Sequence, residues 1–260
     1  VIQALSSFFG WNKKFLIFNM VSRSLKLRYR RSVLGYLWTV LIPLLTAAIY
    51  YFLFVIVMRV PSPDFAAFVV TSVMIWTFFS GTLSDGMESL MANMPILLQV
   101  NVPLNVFPLT TAITNLATLF FSAPVIVVVC WLTGVHIGWS ALMLLFYFPL
   151  LFVQAYCLSY ALSVFVIYLR DLRQAMTFVL QLWMYATPVL YQINQLPPKY
   201  QVLLYANPIG KIFAGIHNSL LRNRWPTLAE MGTPLLWTLV ILLATLWLHS
   251  GVSKKALERI

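Results

Sequence analysis

Side chains able to do chemistry are few in this chain, and they are scattered. A membrane enzyme usually gathers histidines or carboxylates at the interface, but Asp64, Asp85, Glu88, Asp171, Glu230 and Glu258 are dispersed. His136, His217 and His249 have no Cys or acidic residue at ligand spacing, so no zinc site is indicated. The nearest approach to a phosphate-cradling loop is Asn207-Pro208-Ile209-Gly210-Lys211, which lacks the upstream glycine, the Ser or Thr after lysine, and a preceding strand. Cys130 and Cys157 fall within apolar runs and read as small core residues rather than as a disulfide or thiolate site. The expectation is a protein that is not an enzyme by itself and carries no cofactor or metal of its own.

The elements that must position these residues are set by composition. Hydrophobic residues make up 61% of the chain and charged ones 9%, against about 45–50% and about 25% in soluble domains. A bilayer accepts such a surface and water does not. The fold class expected is all-α and membrane-spanning, as a single transmembrane domain over residues 1–260. Uncharged runs long enough to cross ~30 Å of hydrocarbon number six: Val33–Met58, Phe65–Ser84, Val106–Thr133, Trp139–Leu169, Gln174–Tyr191 and Pro234–Ser250. No short apolar stretch with a small-residue cleavage site precedes them, so the first spans would serve as insertion signals.

Charge then orients the ladder. Twelve of the seventeen basic residues precede the first span, separate the fourth from the fifth, or follow the sixth. By the positive-inside rule both termini are cytoplasmic. A net charge of +11 suits anionic cytoplasmic lipid, and nucleic acid is not expected as a partner because no soluble domain is present to hold it. Residues 11–32 should form an amphipathic interface helix, with Phe18, Val21, Leu25 and Tyr29 on its apolar face. Its basic residues are Arg23, Lys26, Arg28, Arg30 and Arg31. Residues 192–233 should form an extracytoplasmic region with two short helices, around Tyr200–Tyr205 and Ile209–Leu221. Those helices could cap an exit or be an ordinary packed loop.

Gradient-driven transport usually needs ionisable groups within the membrane, and the six spans hold none except His249 at one end. A channel, a scaffold, or a transporter energised by another subunit remains.

The segment Leu27-Arg28-Tyr29-Arg30-Arg31-Ser32-Val33-Leu34-Gly35-Tyr36-Leu37-Trp38, followed by Pro43-Leu44-Leu45, resembles the approach to the first span of bacterial polysaccharide-export permeases. These are type-2 ATP-binding-cassette permeases that export O-antigen, capsular polysaccharide or teichoic acid. Further matches follow in order: Ala92-Asn93, Pro103, Pro108, Arg170-Asp171-Leu172, Pro188 with Tyr191, Leu196-Pro197 and Asn207-Pro208. The second connection has Leu98, Gln99 and Leu104 where family members commonly carry Lys or Arg, so no electrostatic role is carried over to it.

The resemblance implies the membrane subunit of an inner-membrane exporter: a homodimer of six-span permeases joined to two nucleotide-binding ATPase subunits, which would bind ATP and Mg. Its substrate would be a lipid-linked polysaccharide. A drug or lipid efflux permease of the same superfamily is the alternative within the class, and an unpowered channel or scaffold the alternative outside it. The connection 85–105 would dock on the ATPase, with Gly86, Glu88, Asn93 and Pro95 in a short helix, and Arg170 and Asp171 either contact the ATPase or cap helix ends. Gly35 permits close helix approach or a bend leading to Pro43, where a proline would kink the first span. Because the family places its channel beside the first and fifth spans, two aromatic faces become path candidates. Tyr36, Tyr50, Tyr51 and Phe54 share one face of the first span, with Trp38 and Phe52 opposite, and Phe178 and Tyr185 share a face of the fifth.

Overall fold

The structure, a computed structural model, describes residues 14–28, 34–57, 59, 64–99, 102–192, 197–201 and 206–257, excluding the side chains of 36, 39, 43, 47, 54, 55, 198, 201 and 252–257. Its regular elements are all helical among the described residues. In chain order they are α1 (Lys14–Arg28), α2 (Trp38–Tyr51), α3 (Phe65–Ala92), α4 (Met94–Gln99), α5 (Val106–Leu132), α6 (Leu144–Tyr168), α7 (Leu172–Ala186), α8 (Pro198–Gln201), α9 (Gly210–Leu220) and α10 (Leu228–Leu257).

The axis of the bundle is α3, which packs against α2, α5, α6 and α7. Its sequence explains the placement. Apolar residues occur all round it, so no face is suited to water. Several of its hydroxyls are satisfied within the helix: Ser72 Oγ donates to the Phe68 carbonyl at 2.7 Å, Thr77 to Val73 at 2.7 Å and Thr82 to Phe78 at 2.7 Å, whereas the buried Thr71 hydroxyl has no partner among the described residues. Such back-bonding lets a hydroxyl enter a medium that offers no water. Two apolar cores lie along α3. One, around Phe65, Phe79, Tyr147 and Phe213, joins α3, α5, α6, α7 and α9. The other, around Ile17, Leu90, Phe107 and Tyr160, joins the far end of α3 to α1, α5 and α6. Cys130 and Cys157 are buried free thiols, one in each core.

Among the described residues, four helical segments are long and apolar enough to cross a membrane: Phe65–Ala92, Val106–Leu132, Trp139–Tyr168 and Leu228–Gly251. They correspond to the expected second, third, fourth and sixth spans. The expected first and fifth spans are shorter elements. α2 runs unbroken through Pro43 and changes to a π-helix over Phe52–Val57, so the irregularity comes after the proline rather than at it. α7 has 15 residues, roughly 22 Å of rise, and ends in a turn at Thr187.

Three further departures have physical causes. α3 does not stop at Ser84 but continues to Ala92, because Asp85 and Glu88 find cationic partners on other helices. The inward stripe of α1 holds Leu16, Ile17, Met20 and Val21, and Phe18 points away at 68% exposure instead of sharing the buried face. Arg28 is eleven residues beyond Ile17 and so on the same side, where it is held by α3 and α5. Gly35 has φ +48° and nothing within 4 Å of where a Cβ would stand, so it makes the bend rather than a close helix contact. Of the two expected short helices, α9 matches Ile209–Leu221 closely, while Tyr200–Tyr205 is represented by α8 and otherwise lies outside the described residues.

Candidate functional site

Polar contacts concentrate at the two ends of α3. At the Asp85 end, Arg28 of α1 spans to two helices. Its Nη2 donates to Asp85 Oδ2 at 2.6 Å and its Nη1 to Asn115 Oδ1 at 2.8 Å. Asn115 Nδ2 donates back to Asp85 Oδ2 at 3.3 Å, which closes a three-residue ring over α1, α3 and α5. One turn further along α3, Glu88 Oε1 lies 2.8 Å from Arg173 Nε at the start of α7. Between them Gly86 is buried against α6 so closely that a Cβ would overlap Ser159 Oγ. Three neighbouring positions of α3 therefore touch α1 with α5, α6, and α7 in turn, which makes this end a junction that any rearrangement of those helices must pass through.

The coupling candidates from the sequence are only partly gathered there. Gly86 and Glu88 are in the junction. Asn93 lies beyond it and breaks α3 from α4: its Nδ2 donates to the Ser89 carbonyl at 2.8 Å, and its own carbonyl accepts from Ile96 N at 3.0 Å. Pro95 is exposed in the first turn of α4. Arg170 and Asp171 are exposed in the turn before α7. The Asp171 carboxylate makes no capping hydrogen bond, and only its carbonyl accepts, from Ala175 N at 3.1 Å. Arg173, not Arg170, reaches α3. Arg23 and Lys26 are exposed on α1, and Arg30 and Arg31 lie outside the described residues. The partners Asn115 and Arg173 had no distinguishing local signal, although Asp85 and Glu88 on a long apolar helix demanded some cation.

At the Phe65 end the contacts are neutral and buried. His217 of α9 sits in α3's path, its ring 4.3 Å from that of Phe68 and its Nε2 2.8 Å from Ser72 Oγ. The single Ser72 proton goes to the Phe68 carbonyl, so Nε2 carries hydrogen and donates to Ser72. Burial, with Arg222 nearby adding to it, pushes the His217 pKa down to about 3. Asn207 fixes the approach to α9. Its Oδ1 accepts from Trp183 Nε1 at 3.0 Å and from Ile209 N at 3.2 Å, while Nδ2 donates to Thr187 Oγ1 at 2.9 Å. The Asn207-Pro208 pair thus ties α9 to the end of α7.

The aromatic candidates fall on a flank that one chain leaves open. Tyr51, Phe178 and Tyr185 are 40%, 63% and 52% exposed. Tyr50 is half-buried against the first core. Tyr36 lies in the 3-10 turn Gly35–Leu37 and Phe54 in the π-helical stretch, and the side chains of both lie outside the described residues. Trp38 and Phe52 are exposed as well. The first-span helix therefore offers apolar surface on both faces, not on one alone. A separate groove of about 950 Å³ between α5 and α6 is walled by apolar residues such as Phe120, Leu145 and Phe148 and has few polar groups to orient a ligand.

Comparison with known proteins agrees with this architecture. The chain is 29% identical over 245 residues to the O-antigen export system permease protein RfbA of Myxococcus xanthus, covering 94% of this chain and 93% of that one. It is 30% identical over 201 residues to the protein of the same name from Klebsiella pneumoniae, covering 76% of each. Residues 16–221, from α1 to the end of α9, match the ABC-2 type transporter family. With its apolar helices and permease relatives, the chain is an integral membrane protein and belongs to the ABC-2 type transporter membrane family.

Proposed function

We propose that this chain is the membrane subunit of an ATP-driven exporter that moves a lipid-linked polysaccharide, of the O-antigen type, across a bacterial cytoplasmic membrane. The observation that carries this reading is the near-full-length likeness to a permease of O-antigen export. In this reading α2 with its π-helical extension and α7 with its following turn complete six spans. The Asp85 end is cytoplasmic, since Arg28, Arg170 and Arg173 gather there, and α9 is extracytoplasmic.

Two copies pair, and two ATPase subunits, which bind ATP and Mg, dock on α4 and the Arg170–Asp171 turn. The exposed aromatic side chains of α2 and α7 line the path. Flat rings suit a neutral sugar chain because stacking needs no fixed polar contact and so does not arrest a moving polymer. The drive comes from the partner, because the spans offer few ionisable groups for an ion gradient to act on.

Deletion of the gene should strip polysaccharide from the cell surface and leave lipid-linked polymer inside. Restoration should need both this chain and an ATPase partner competent for hydrolysis. Normal surface polysaccharide in the deletion strain, with altered drug or lipid efflux, would replace this reading with an efflux permease.

A further inference from the structure

At the Phe65 end a cavity of about 250 Å³ opens between α9, the segment that follows it, and the first turns of α3, α6 and α10. Three cationic side chains, Lys211, Arg222 and Arg224, line it against one carboxylate, Glu230. With His217 neutral, the wall carries two net positive charges. Arg224 and Glu230 pair with each other at 3.0 Å. Arg222 Nη2 donates to Gln192 Oε1 at 2.9 Å, an acceptor that leaves the arginine charge uncancelled.

The floor holds an independent observation. Tyr147 lines the cavity and is fully buried, yet its hydroxyl has no hydrogen-bond partner among the described residues. The residue belongs to the first core and also borders the cavity, whose lining it shares with Glu230. A phenol buried without a partner costs free energy, and of the buried side-chain polar atoms that lack a partner among the described residues it alone belongs to the lining of this cavity. Gly215 of α9 presses against the same ring so closely that any side chain there would collide with it, which keeps the phenol in place.

We propose that this cavity binds a phosphoryl group, with the Tyr147 hydroxyl donating to a phosphate oxygen and Lys211 and Arg222 balancing its charge. A phosphate monoester carries up to two negative charges and several acceptor oxygens, which matches two net positive charges above one unsatisfied donor. A carboxylate supplies only half that charge. The monoester comes from a lipid that ends in phosphate, such as phosphatidic acid, or from a sugar phosphate. The site stands whatever polymer the permease carries.

The test uses the purified full chain in a neutral detergent, stripped of phospholipid, with its melting midpoint followed at constant ionic strength. Inorganic phosphate should raise the midpoint saturably, whereas acetate and chloride should not. Tyr147→Phe removes a hydroxyl with no protein partner to lose, so it should fold as well as the parent while its apparent phosphate affinity falls about tenfold or more, as expected for one hydrogen bond to a charged group. Arg222→Gln should weaken the response likewise. Dihexanoylphosphatidic acid and glucose 1-phosphate are titrated in parallel, and the tighter of the two, if it loses affinity in Tyr147→Phe, identifies the source. Absence of a phosphate-specific shift, or a full response retained by Tyr147→Phe, would overturn the proposal.

Discussion

The two ends of α3 solve the same problem in opposite ways. At the Asp85 end the helix is held by ion pairs in partial contact with solvent: Arg28 and Asp85 side chains are 34% and 46% exposed, and Arg173 and Glu88 40% each. At the Phe65 end it is held by a neutral, wholly buried contact between Ser72 and His217 among aromatic rings. Solvated ion pairs contribute about 0–1 kcal/mol each and exchange partners easily. A buried polar contact cannot be opened without leaving a group unsatisfied. One end of α3 is therefore suited to rearrangement and the other to holding position, as the proposed exporter, driven from its cytoplasmic side, would require.

The sharpest way to break this contrast is steric. Gly215→Ala should drive a methyl into the Tyr147 ring and cost about 3 kcal/mol, toward the upper end for overpacking, seen as loss of extractable folded protein. Gly86→Ala meets only the Ser159 side chain, and Ser159→Gly should restore it. Equal tolerance of both alanines would mean that the two ends are equally soft.

Acid should separate the ends next. The unfolded chain takes up a proton at His217 near pH 6.5, whereas the folded chain resists until about pH 3. Because the folded pKa is depressed below the unfolded one, the stability from a neutral His217 is complete above pH 6.5 and is lost progressively as pH falls toward 3. At pH 5 that loss should be about 2 kcal/mol. Melting midpoints between pH 7.5 and pH 5 should fall in the parent and flatten in His217→Asn. An unchanged slope in the variant would place the acid sensitivity elsewhere.

Between the ends, the α2 and α7 aromatics should lose function without losing stability. Tyr51→Ala and Tyr185→Ala remove exposed rings and should cost under about 1 kcal/mol while surface polysaccharide falls. Trp183→Ala is the packed control: it removes a ring lying against the core and bonded to Asn207, and should cost roughly 3–5 kcal/mol. Parallel loss of folded protein and of export at Tyr51 and Tyr185 would make them packing residues. The smallest stability effect belongs to the ion pairs. Asp85→Asn and Glu88→Gln should each change stability by about 0–1 kcal/mol, screened by salt, but should uncouple ATP turnover from export. A large loss of stability at either position would contradict the view of that junction as movable.

How much of the fold and site is legible in the sequence follows from what kind of signal each feature leaves. Apolar runs mark the helical class and the four long spans because length and hydropathy are local properties. α9 is legible through Asn207-Pro208 and the apolar segment behind it. The end of α3 is not, because Asp85 and Glu88 resemble a loop until Arg28, 57 positions away, and Arg173 are brought beside them. The inward face of α1 differs from its expected one for a related reason: with Phe15, Phe18, Ile17 and Met20 all apolar, periodicity allows two stripes, and the tie of Arg28 to α3 and α5 decides between them. His217 looks like an isolated histidine, since Ser72 lies 145 positions away. The shortness of α7 reflects its break at Thr187, where Asn207 bonds to the Ala186 carbonyl and the Thr187 hydroxyl.

The most direct measurement of the central claim is translocation in a reconstituted system. This chain and its ATPase partner would be placed in proteoliposomes with lipid-linked polysaccharide on the ATPase side, and polymer reaching the opposite side would be followed with an impermeant glycosidase. Cleavage inside the vesicles should appear only with ATP and should vanish when the ATPase cannot hydrolyse it. Polymer crossing at the same rate without ATP would make the chain a channel, and ATP hydrolysis that moves no polymer would contradict the assignment as a polysaccharide exporter.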